Sequence, residues 1–290
     1  MMGRVLIAGC GYVGVATADL FHAAQWEVEG WTHSPESAAQ LATKPYRVRA
    51  VDIGERDAVE AAADAFDIVI HCASSGGGGA ESYRCVYLEG ARNLFARLRP
   101  GRFVFTSSTS VYAQTDGEWV DEESAAEPSH EAGRILRETE EIVRQEGGLV
   151  VRLAGIYGPG RSAVLRKFLS GEARLEDGGG RYQNQVHRDD IAAALLFLVT
   201  LSGEPWPVAP IINVTDNEPI TQRESYQWLA TKLNRPLPAV ATRTGERKRG
   251  TSNKRVSNRN LRALGWEPRF TTFQIGMETS VLPAYPMLGA

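Results

Sequence analysis

The sequence has little cysteine: Cys10, Cys72 and Cys85 are the three in 290 residues. An odd number at these spacings does not suggest a disulfide framework and matches no zinc-ligand pattern, so no metal site is predicted. The first residues have a strand pattern and not that of a cleavable signal. Together these features predict a protein of the reducing cytoplasm.

Long apolar runs and an excess of positive charge are also absent. The longest apolar run near a predicted helix, Ala192 to Val199, has eight residues, whereas a membrane span needs roughly 20. The formal net charge is −3, which argues against a nucleic-acid-binding protein. We therefore expect neither a membrane nor a nucleic-acid partner. Apolar residues still make up 43% of the chain, enough for a large core.

A glycine-rich motif, GCGYVG at 9–14, follows the apolar run Val5 to Ala8 and precedes an Ala-rich helical pattern. In this order of strand, turn and helix, Gly9 allows a sharp turn, Gly11 lets a pyrophosphate approach the backbone, and Gly14 lets the helix pack on the strand. The N–H groups of this turn, including those of Tyr12 and Val13, then face the phosphates at the positive end of the helix dipole. The alternative is a glycine-rich turn that binds nothing.

Apolar strand patterns and helical patterns alternate as far as Leu153, which predicts an α/β fold with a doubly wound parallel sheet, the Rossmann arrangement. After Leu153 the character of the sequence changes. We expect residues 1–155 to form the dinucleotide-binding domain, with 186–214 returning to it. Residues 156–185 and 215–290 are predicted to form a small, discontinuous C-terminal lobe that contacts the substrate. Asp189 or Asp190 is the predicted N-cap of a helix over 191–201, and Thr221 with Glu224 is a predicted capping box.

The end of the second strand bears on the choice between NAD and NADP. An acid there would bind the ribose 2′-OH of NAD, but the residues are Thr32, His33 and Ser34. They could accept the 2′-phosphate of NADP, although no arginine is adjacent, so NADP is slightly favoured over NAD. The alternative is that they are turn residues before Pro35.

Two further strand ends carry residues suited to this site. Asp52, before Ile53, could bond the adenine amine or could cap the helix that starts near Glu55. Small residues, Cys72 to Ser74, follow the fourth strand and leave room for a ligand; the glycines at 76–79 are either a flap or a flexible connection. Hydroxyl residues after the fifth strand could donate to a substrate carbonyl or could simply form a turn.

Charged residues cluster in two other segments. The acidic loop from Asp116 to Glu127 is expected to be a solvated surface. The basic stretch from Arg243 to Arg255 could receive an anionic substrate, but a mobile solvated loop is the preferred interpretation.

These motifs together resemble the extended short-chain dehydrogenase/reductase superfamily, in its NAD-dependent epimerase/dehydratase group and most closely its atypical, YeeZ-like subgroup. The resemblance covers nearly the whole chain. It rests on the glycine motif, Asp52-Ile53, IHCA at 70–73, the segment from Thr106 to Tyr112, RLAGIYGPGR at 152–161, VHRDDIA at 186–192 and LGWEP at 264–268.

The resemblance implies a role for particular residues. Asp52 and Ile53 would flank the adenine, and Cys72, Ala73 and Ser74 would lie beside the nicotinamide ribose. Ser108 falls where the family has its catalytic Ser or Thr, with Thr109 beside it. Residues on the substrate side would be Tyr157, Arg161 and His187.

The chain departs from the family at the catalytic Tyr-x-x-x-Lys, which is missing. The segment that fits its place is His130-Glu131-Ala132-Gly133-Arg134. His130 could serve as the base, and the guanidinium of Arg134 could bond the ribose. The alternative is that His130 is a surface residue at the start of a helix that Ser129 caps.

Three hypotheses for the function follow from these residues. The first is an NAD(P)-dependent epimerase, dehydratase or reductase acting on an unidentified small molecule, possibly a sugar nucleotide. The second is a non-catalytic dinucleotide-binding regulator or redox sensor. The third, a structural member with a decayed nucleotide site, is disfavoured by the intact glycine motif. The resemblance also implies a possible homodimer through a four-helix contact, with helices near Glu81–Leu98 and His130–Gln145.

Overall fold

The computed structural model describes residues 2–203, 206, 209–242 and 252–285. Seven parallel strands form its central sheet: β1 Arg4–Ala8, β2 Glu27–Thr32, β3 Arg47–Ala50, β4 Ile68–His71, β5 Arg102–Ser108, β7 Leu149–Leu153 and β12 Ile211–Val214. Their order is β12-β7-β5-β4-β1-β2-β3. Because the strand order reverses between β1 and β4, a crevice opens at their carboxyl ends, where open α/β sheets bind ligands.

Helices cover both faces of the sheet. They are α1 Tyr12–Ala23, α2 Pro35–Gln40, α3 Arg56–Ala62, α4 Ala80–Tyr83, α5 Gly90–Leu98, α6 Glu131–Gln145 and α8 Arg188–Thr200. A π-helical segment, Arg84–Glu89, joins α4 to α5. One core lies between the sheet and α1 with α8, and a second lies between the sheet and α3, α5 and α6. The strands have apolar side chains on both faces because both faces are covered.

A third core belongs to a smaller lobe at the carboxyl edge of the sheet. It is formed by α7 Ala163–Leu169, α9 Gln222–Lys232 and α11 Phe273–Gly276. Short strands surround it: β8 Gly155–Tyr157, β9 Leu175–Glu176, β10 Tyr182–Gln183, β11 Gln185–His187, β13 Ile220–Thr221 and β14 Val240–Ala241. The boundary of this lobe at residue 155 stays a prediction.

The remaining elements connect the C-terminal segment to the large domain. β15 Arg255–Val256 pairs in parallel with β6 Trp119–Val120, and α10 Arg259–Ala263 follows it. After α11 the chain continues as the π-helical Met277–Val281 and the 3-10 turn Leu282–Ala284.

The predicted sheet and its alternation with helices are confirmed, and so is the capping box of Thr221 and Glu224. The predicted cap of α8 is wrong. His187 is the N-cap, and its Nδ1 accepts the N–H of Asp189 at 3.1 Å. The carboxylate of Asp190 instead accepts the N–H groups of Arg269 and Phe270, so it ties the C-terminal segment to the helix.

The acidic loop is not wholly a solvated surface. The carboxylate of Glu122 accepts the backbone N–H of Asn213 at 2.7 Å and the side-chain amide of Asn260 at 2.7 Å. Burial raises the pKa of Glu122. Glu122 therefore links the loop to β12 and α10.

Of the helices in the described ranges, none combines the length and the apolar character needed to cross a bilayer.

Candidate functional site

A cavity of about 860 Å³ opens at the carboxyl ends of β1, β4 and β5. Its wall on the large domain includes the glycine turn from Gly9 to Val13, Ala73 and Ser108. Its wall on the small lobe includes Arg161 and residues 181–185. The cavity thus joins the place of the predicted dinucleotide to that of the predicted substrate.

The glycine turn has the close contacts that its sequence predicts. Gly9 has φ +106°, and a Cβ there would lie 2.1 Å from the backbone nitrogen of Ala73. A Cβ at Gly14 would lie 2.1 Å from the carbonyl oxygen of Gly9. A Cβ at Gly11 would meet nothing within 4 Å. The turn is therefore tight toward the sheet and open toward the cavity, which fits a pyrophosphate above Gly11 and the start of α1.

Cys72, Ala73 and Ser74 line the cavity beside this turn. The thiol of Cys72 donates to the carbonyl of Gly9 at 3.3 Å. Burial raises the pKa of the Cys72 thiol and raises that of Cys10 to about 12. Both thiols are therefore protonated at neutral pH, and neither is an activated nucleophile.

At the carboxyl end of β2, Thr32 and His33 line the cavity, whereas Ser34 is the N-cap of α2 and accepts the N–H of Ser37. The hydroxyl of Thr32 lies within hydrogen-bond distance of two backbone carbonyls, those of Ser34 and Arg49. His33 Nδ1 lies 3.3 Å from Asp52 Oδ2. The chain at the end of β2, from Thr32 to Ser34, is thus polar and contains no lysine or arginine.

The next strand end forms a turn and not a helix cap. Asp52 Oδ1 accepts the N–H of Gly54 at 2.9 Å, while Glu55 occupies the N-cap position of α3. The capping alternative for Asp52 is therefore wrong. Ile53 is buried in the core beneath Gly90 and is not among the residues lining the cavity.

Ser108 and Thr109 lie at the end of β5 and line the cavity. Ser108 Oγ accepts the N–H of Ser110 at 3.1 Å and caps a 3-10 turn over Thr109–Val111. Its own proton remains able to donate toward a ligand. Ser108 thus lies at the cavity, and its contact with a substrate carbonyl stays a prediction.

His130 and Arg134 are not among the residues lining the cavity. His130, and not Ser129, is the N-cap of α6, with its Nδ1 accepting the N–H of Gly133 at 3.0 Å. Arg134 is exposed, and its Nη1 donates to the carbonyl of Ser129 at 2.8 Å. From this helix, Leu136 faces the cavity, so the structure does not bring the predicted base and cation to the site.

His187 is also displaced from its predicted role. It is fully buried, caps α8, and lies 3.0 Å from Ser280 Oγ through Nε2. Burial lowers its pKa to about 4, and it is not among the residues lining the cavity. The structure therefore does not bring His187 to the cavity, and its contact with substrate stays a prediction. Tyr157, whose ring meets His187 edge to face at 5.3 Å, does line the cavity.

The small-lobe wall contains a lysine that the sequence interpretation missed. Lys254 is 6% exposed and lines the cavity with Arg181 and Asn184. Its Nζ donates to Ser252 Oγ at 2.8 Å, and no carboxylate of the described residues forms an ion pair with it. Burial, reinforced by the charge of Arg181, lowers the pKa of Lys254 to about 8.

Lys254 belongs to the basic stretch interpreted as a mobile solvated loop. Residues 243–251 of that stretch, including Lys248 and Arg249, lie outside the described residues. For Lys254 the preferred interpretation is wrong, because the backbone of its segment is tied to the cleft. Asn184 donates to the carbonyl of Lys254 and accepts the N–H of Val256. The burial of Lys254 could not be predicted from the sequence, because a basic run is typical of exposed segments. It depends on the long-range contact between residues 252–256 and residues 181–184.

Fold and cleft together define a Rossmann-type protein with a glycine turn after β1 and a second lobe across the crevice. The family model for the NAD dependent epimerase/dehydratase family matches residues 5–214. The chain therefore belongs to that family.

Individual proteins agree with this assignment. Protein YeeZ of Escherichia coli strain K12 is 31% identical over 207 residues, which cover 68% of this chain and 73% of that protein. A structure of MoeE5 in complex with UDP-glucose and NAD has a TM-score of 0.76 at 19% identity, over 96% of this chain and 97% of that one. The human epimerase family protein SDR39U1 with NADPH has a TM-score of 0.77 at 19% identity, over 95% and 98%. The two structures show the shared fold.

Proposed function

We propose that this protein binds NAD or NADP on the glycine turn and uses it in an epimerase-, dehydratase- or reductase-type reaction on a small anionic molecule, such as a nucleotide sugar. The observation that carries the proposal is the continuous cavity between the open face of Gly11 and the amine of Lys254. When bound, a nicotinamide supplies the hydride acceptor or donor.

The lysine supports an anionic substrate. A lysine that is 6% exposed is costly to bury in its charged form without a counter-charge. Lys254 has Arg181 as a charged neighbour and no acid of the described residues as partner. A phosphate or carboxylate in the cavity would offset the positive charge of Lys254. MoeE5 was solved with UDP-glucose, a ligand of this chemistry, which is consistent with the proposal.

The hydroxyls of Ser108 and Thr109 are proposed to orient the reacting carbon–oxygen bond, because both line the cavity at the end of β5. Tyr157 is proposed to contact the substrate from the opposite wall. The proposal gives His130 no catalytic role, because its imidazole caps α6.

The preference for NADP stays part of the proposal. Thr32 and His33 line the cavity where a 2′-phosphate would lie, and SDR39U1 was solved with NADPH. Asp52, 3.3 Å from His33, opposes it by its charge, so we expect a modest preference.

One feature supports the second candidate, a dinucleotide-binding regulator without turnover. The helix that carries the family's tyrosine and lysine presents Leu136 to the cavity, and His130 and Arg134 are not among the lining residues. Such a protein would bind the cofactor and leave every sugar nucleotide unchanged.

Titration with NADH and NADPH, followed by nicotinamide fluorescence, tests dinucleotide binding, which both candidate functions require. Micromolar binding of either is expected, with NADPH somewhat tighter. A screen of UDP-sugars then separates them: conversion of any of them supports the enzyme, and binding without conversion supports the regulator. Absence of binding by both nucleotides would contradict the proposal as a whole.

The lysine is tested with UDP as an anionic probe, by calorimetry at pH 7. Lys254→Met is expected to weaken UDP binding at least tenfold, since a buried charge-assisted contact is lost. Lys232→Met, at a half-exposed lysine on α9, is the matched control and is expected to bind UDP as the unmodified protein does. Equal binding by all three would exclude Lys254 as the anion contact.

A further inference from the structure

The loop between β8 and α7 forms a tight, closed turn over the glycine motif. Its backbone bonds run both ways: the N–H of Gly158 donates to the carbonyl of Arg161 at 2.9 Å, and the N–H of Arg161 donates back at 3.0 Å. Gly160 has φ +72°, in the left-handed region that glycine tolerates. The position of Arg161 is thus fixed by backbone bonds that do not depend on its side chain.

Tyr12 anchors this turn to the large domain. Its hydroxyl donates to the carbonyl of Pro159 at 3.1 Å. A Cβ at Gly158 would lie 2.6 Å from that hydroxyl, and Gly158 has φ +156°. Tyr12 is also the first residue of α1, directly after Gly11. The contact therefore joins the small lobe to the residue nearest the predicted pyrophosphate.

Two guanidinium groups lie against the ring of Tyr12. The Cζ of Arg188 is 4.9 Å from the ring centroid, and that of Arg161 is 5.2 Å away. Arg188 is paired, since its Nε donates to Asp189 Oδ1 at 2.9 Å. Arg161 lines the cavity and forms no ion pair with a carboxylate of the described residues. One of the two positive charges is thus directed to the cavity without compensation.

We propose that Arg161 binds the pyrophosphate of the dinucleotide from the small-lobe side, with the ring of Tyr12 as its platform. This rests on the proposed function and assigns Arg161 to the cofactor and not to the substrate side expected from the sequence. The start of α1 and the guanidinium would then contact the phosphates from two directions. Arginine suits this role because its planar fork can bond two phosphate oxygens and stack on a ring.

The proposal has a structural consequence for the cleft. Arg161 stands on the small lobe, and the glycine turn stands on the large domain. A dinucleotide contacting both would hold the lobes together, so substrate would meet a cleft already ordered by the cofactor.

Titrations with NADH and with ADP-ribose, which keeps the pyrophosphate and lacks the nicotinamide, test the assignment. Arg161→Gln is expected to weaken both ligands by a similar factor of about 10 to 100, the range for a hydrogen bond to a charged group. Its affinity for NADH should also fall less steeply with salt than that of the unmodified protein, because one ionic contact is gone. Circular dichroism and melting temperature check that the variant is folded.

Two matched variants complete the experiment. Arg188→Gln removes the paired cation from the same ring, and Arg166→Gln removes an exposed cation on α7; both are expected to bind NADH within about twofold of the unmodified protein.

The outcomes separate this inference from the proposed function. Loss of NADH affinity with unchanged ADP-ribose affinity would place Arg161 at the nicotinamide or substrate and overturn the inference. Equal losses of NADH affinity in Arg161→Gln and Arg188→Gln would show that removing either cation from the Tyr12 ring has the same effect, and would overturn the inference as well. If Arg161→Gln binds both ligands normally, the inference falls while the proposed function stands; if the unmodified protein binds no dinucleotide, both fall.

Discussion

At the scale of single residues, glycine has two different roles in the glycine turn. Gly9 allows the backbone to pack closely against Ala73, and Gly11 leaves space open toward the cavity. Gly9→Ala is expected to destabilise the fold by about 2–5 kcal/mol, because strain at positive φ adds to overpacking where the new Cβ meets Ala73. In Gly11→Ala the new Cβ meets no protein atom within 4 Å, so the variant should be as stable as the unmodified protein. It should nevertheless lose NADH affinity, because the methyl group takes the space of the pyrophosphate.

Denaturant unfolding and NADH titration of both variants check this prediction. A Gly11→Ala variant that is stable and binds NADH normally would show that the open space is not ligand space. The distinction could be made from the motif itself, since both roles follow from its spacing.

The buried histidines predict a loss of stability in acid. Burial lowers the pKa of His71 and of His187 from the ordinary 6.5 to about 4. Below pH 6.5 the unfolded chain takes up protons that the folded chain refuses until about pH 4. Stability should therefore fall as the pH drops from about 6.5 to about 4, by roughly 3 kcal/mol for each histidine.

His187→Asn isolates one of these contributions, because asparagine can still cap α8 and does not titrate. Urea unfolding at several pH values should show a slope for this variant that is smaller than that of the unmodified protein. An unchanged slope in His187→Asn would contradict the assignment.

At the scale of elements, an ionic network joins α6 to the centre of the sheet. Arg152 of β7 donates to both carboxylate oxygens of Glu140, at 3.0 and 2.7 Å, and both side chains are at most 1% exposed. Ser107 donates to Glu140 at 2.6 Å, and Arg152 also donates to the hydroxyl of Tyr112 at 2.8 Å. The network places the end of β5, and hence Ser108, relative to α6.

Breaking this network should be costly. Glu140→Gln is expected to lose about 3–5 kcal/mol of unfolding free energy, because it leaves the Arg152 charge buried without its partner. The double change Glu140→Leu with Arg152→Met should cost less than Glu140→Gln alone, since no charge remains buried. Chemical denaturation measures all three proteins.

A surface pair on the same helix serves as the control for this series. Glu141 lies 3.0 Å from Arg144, and both are largely exposed, so Glu141→Gln should cost no more than about 1 kcal/mol. A Glu140→Gln variant as stable as Glu141→Gln would contradict the prediction.

These elements also show how far a single sequence leads. The parallel sheet and its glycine turn follow from local patterns, because the apolar runs and the glycine spacing act over a few residues. The contacts of Lys254 and Glu140 could not be predicted, since each depends on segments far apart in the chain. The caps formed by His130 and His187 could not be predicted either, because an imidazole that caps a helix and one that faces a ligand follow the same sequence pattern.

At the scale of the whole molecule, the possible homodimer through helices near Glu81–Leu98 and His130–Gln145 stays a prediction, and the charges on these helices make it testable. Glu138 on α6 lies 3.3 Å from Arg84 and 3.7 Å from Arg92 of the neighbouring helical segment, and all three are about half exposed. In a two-fold dimer the same patch faces itself, so each Glu138 could also meet the arginines of a second copy. The predicted contact would then use the helices near Glu81–Leu98 and His130–Gln145.

Sedimentation equilibrium of the unmodified protein should then give twice the chain mass of 31.7 kDa. Glu138→Arg places like charges across the two-fold contact and should shift the equilibrium toward the monomer, with a larger effect at low salt because the repulsion is screened at high salt. Glu172→Arg, at an exposed carboxylate beyond α7, reverses a charge away from this face and should leave the dimer intact. A monomer at every concentration would exclude the dimer. A dimer that both variants leave unchanged would place the contact on another face of the molecule.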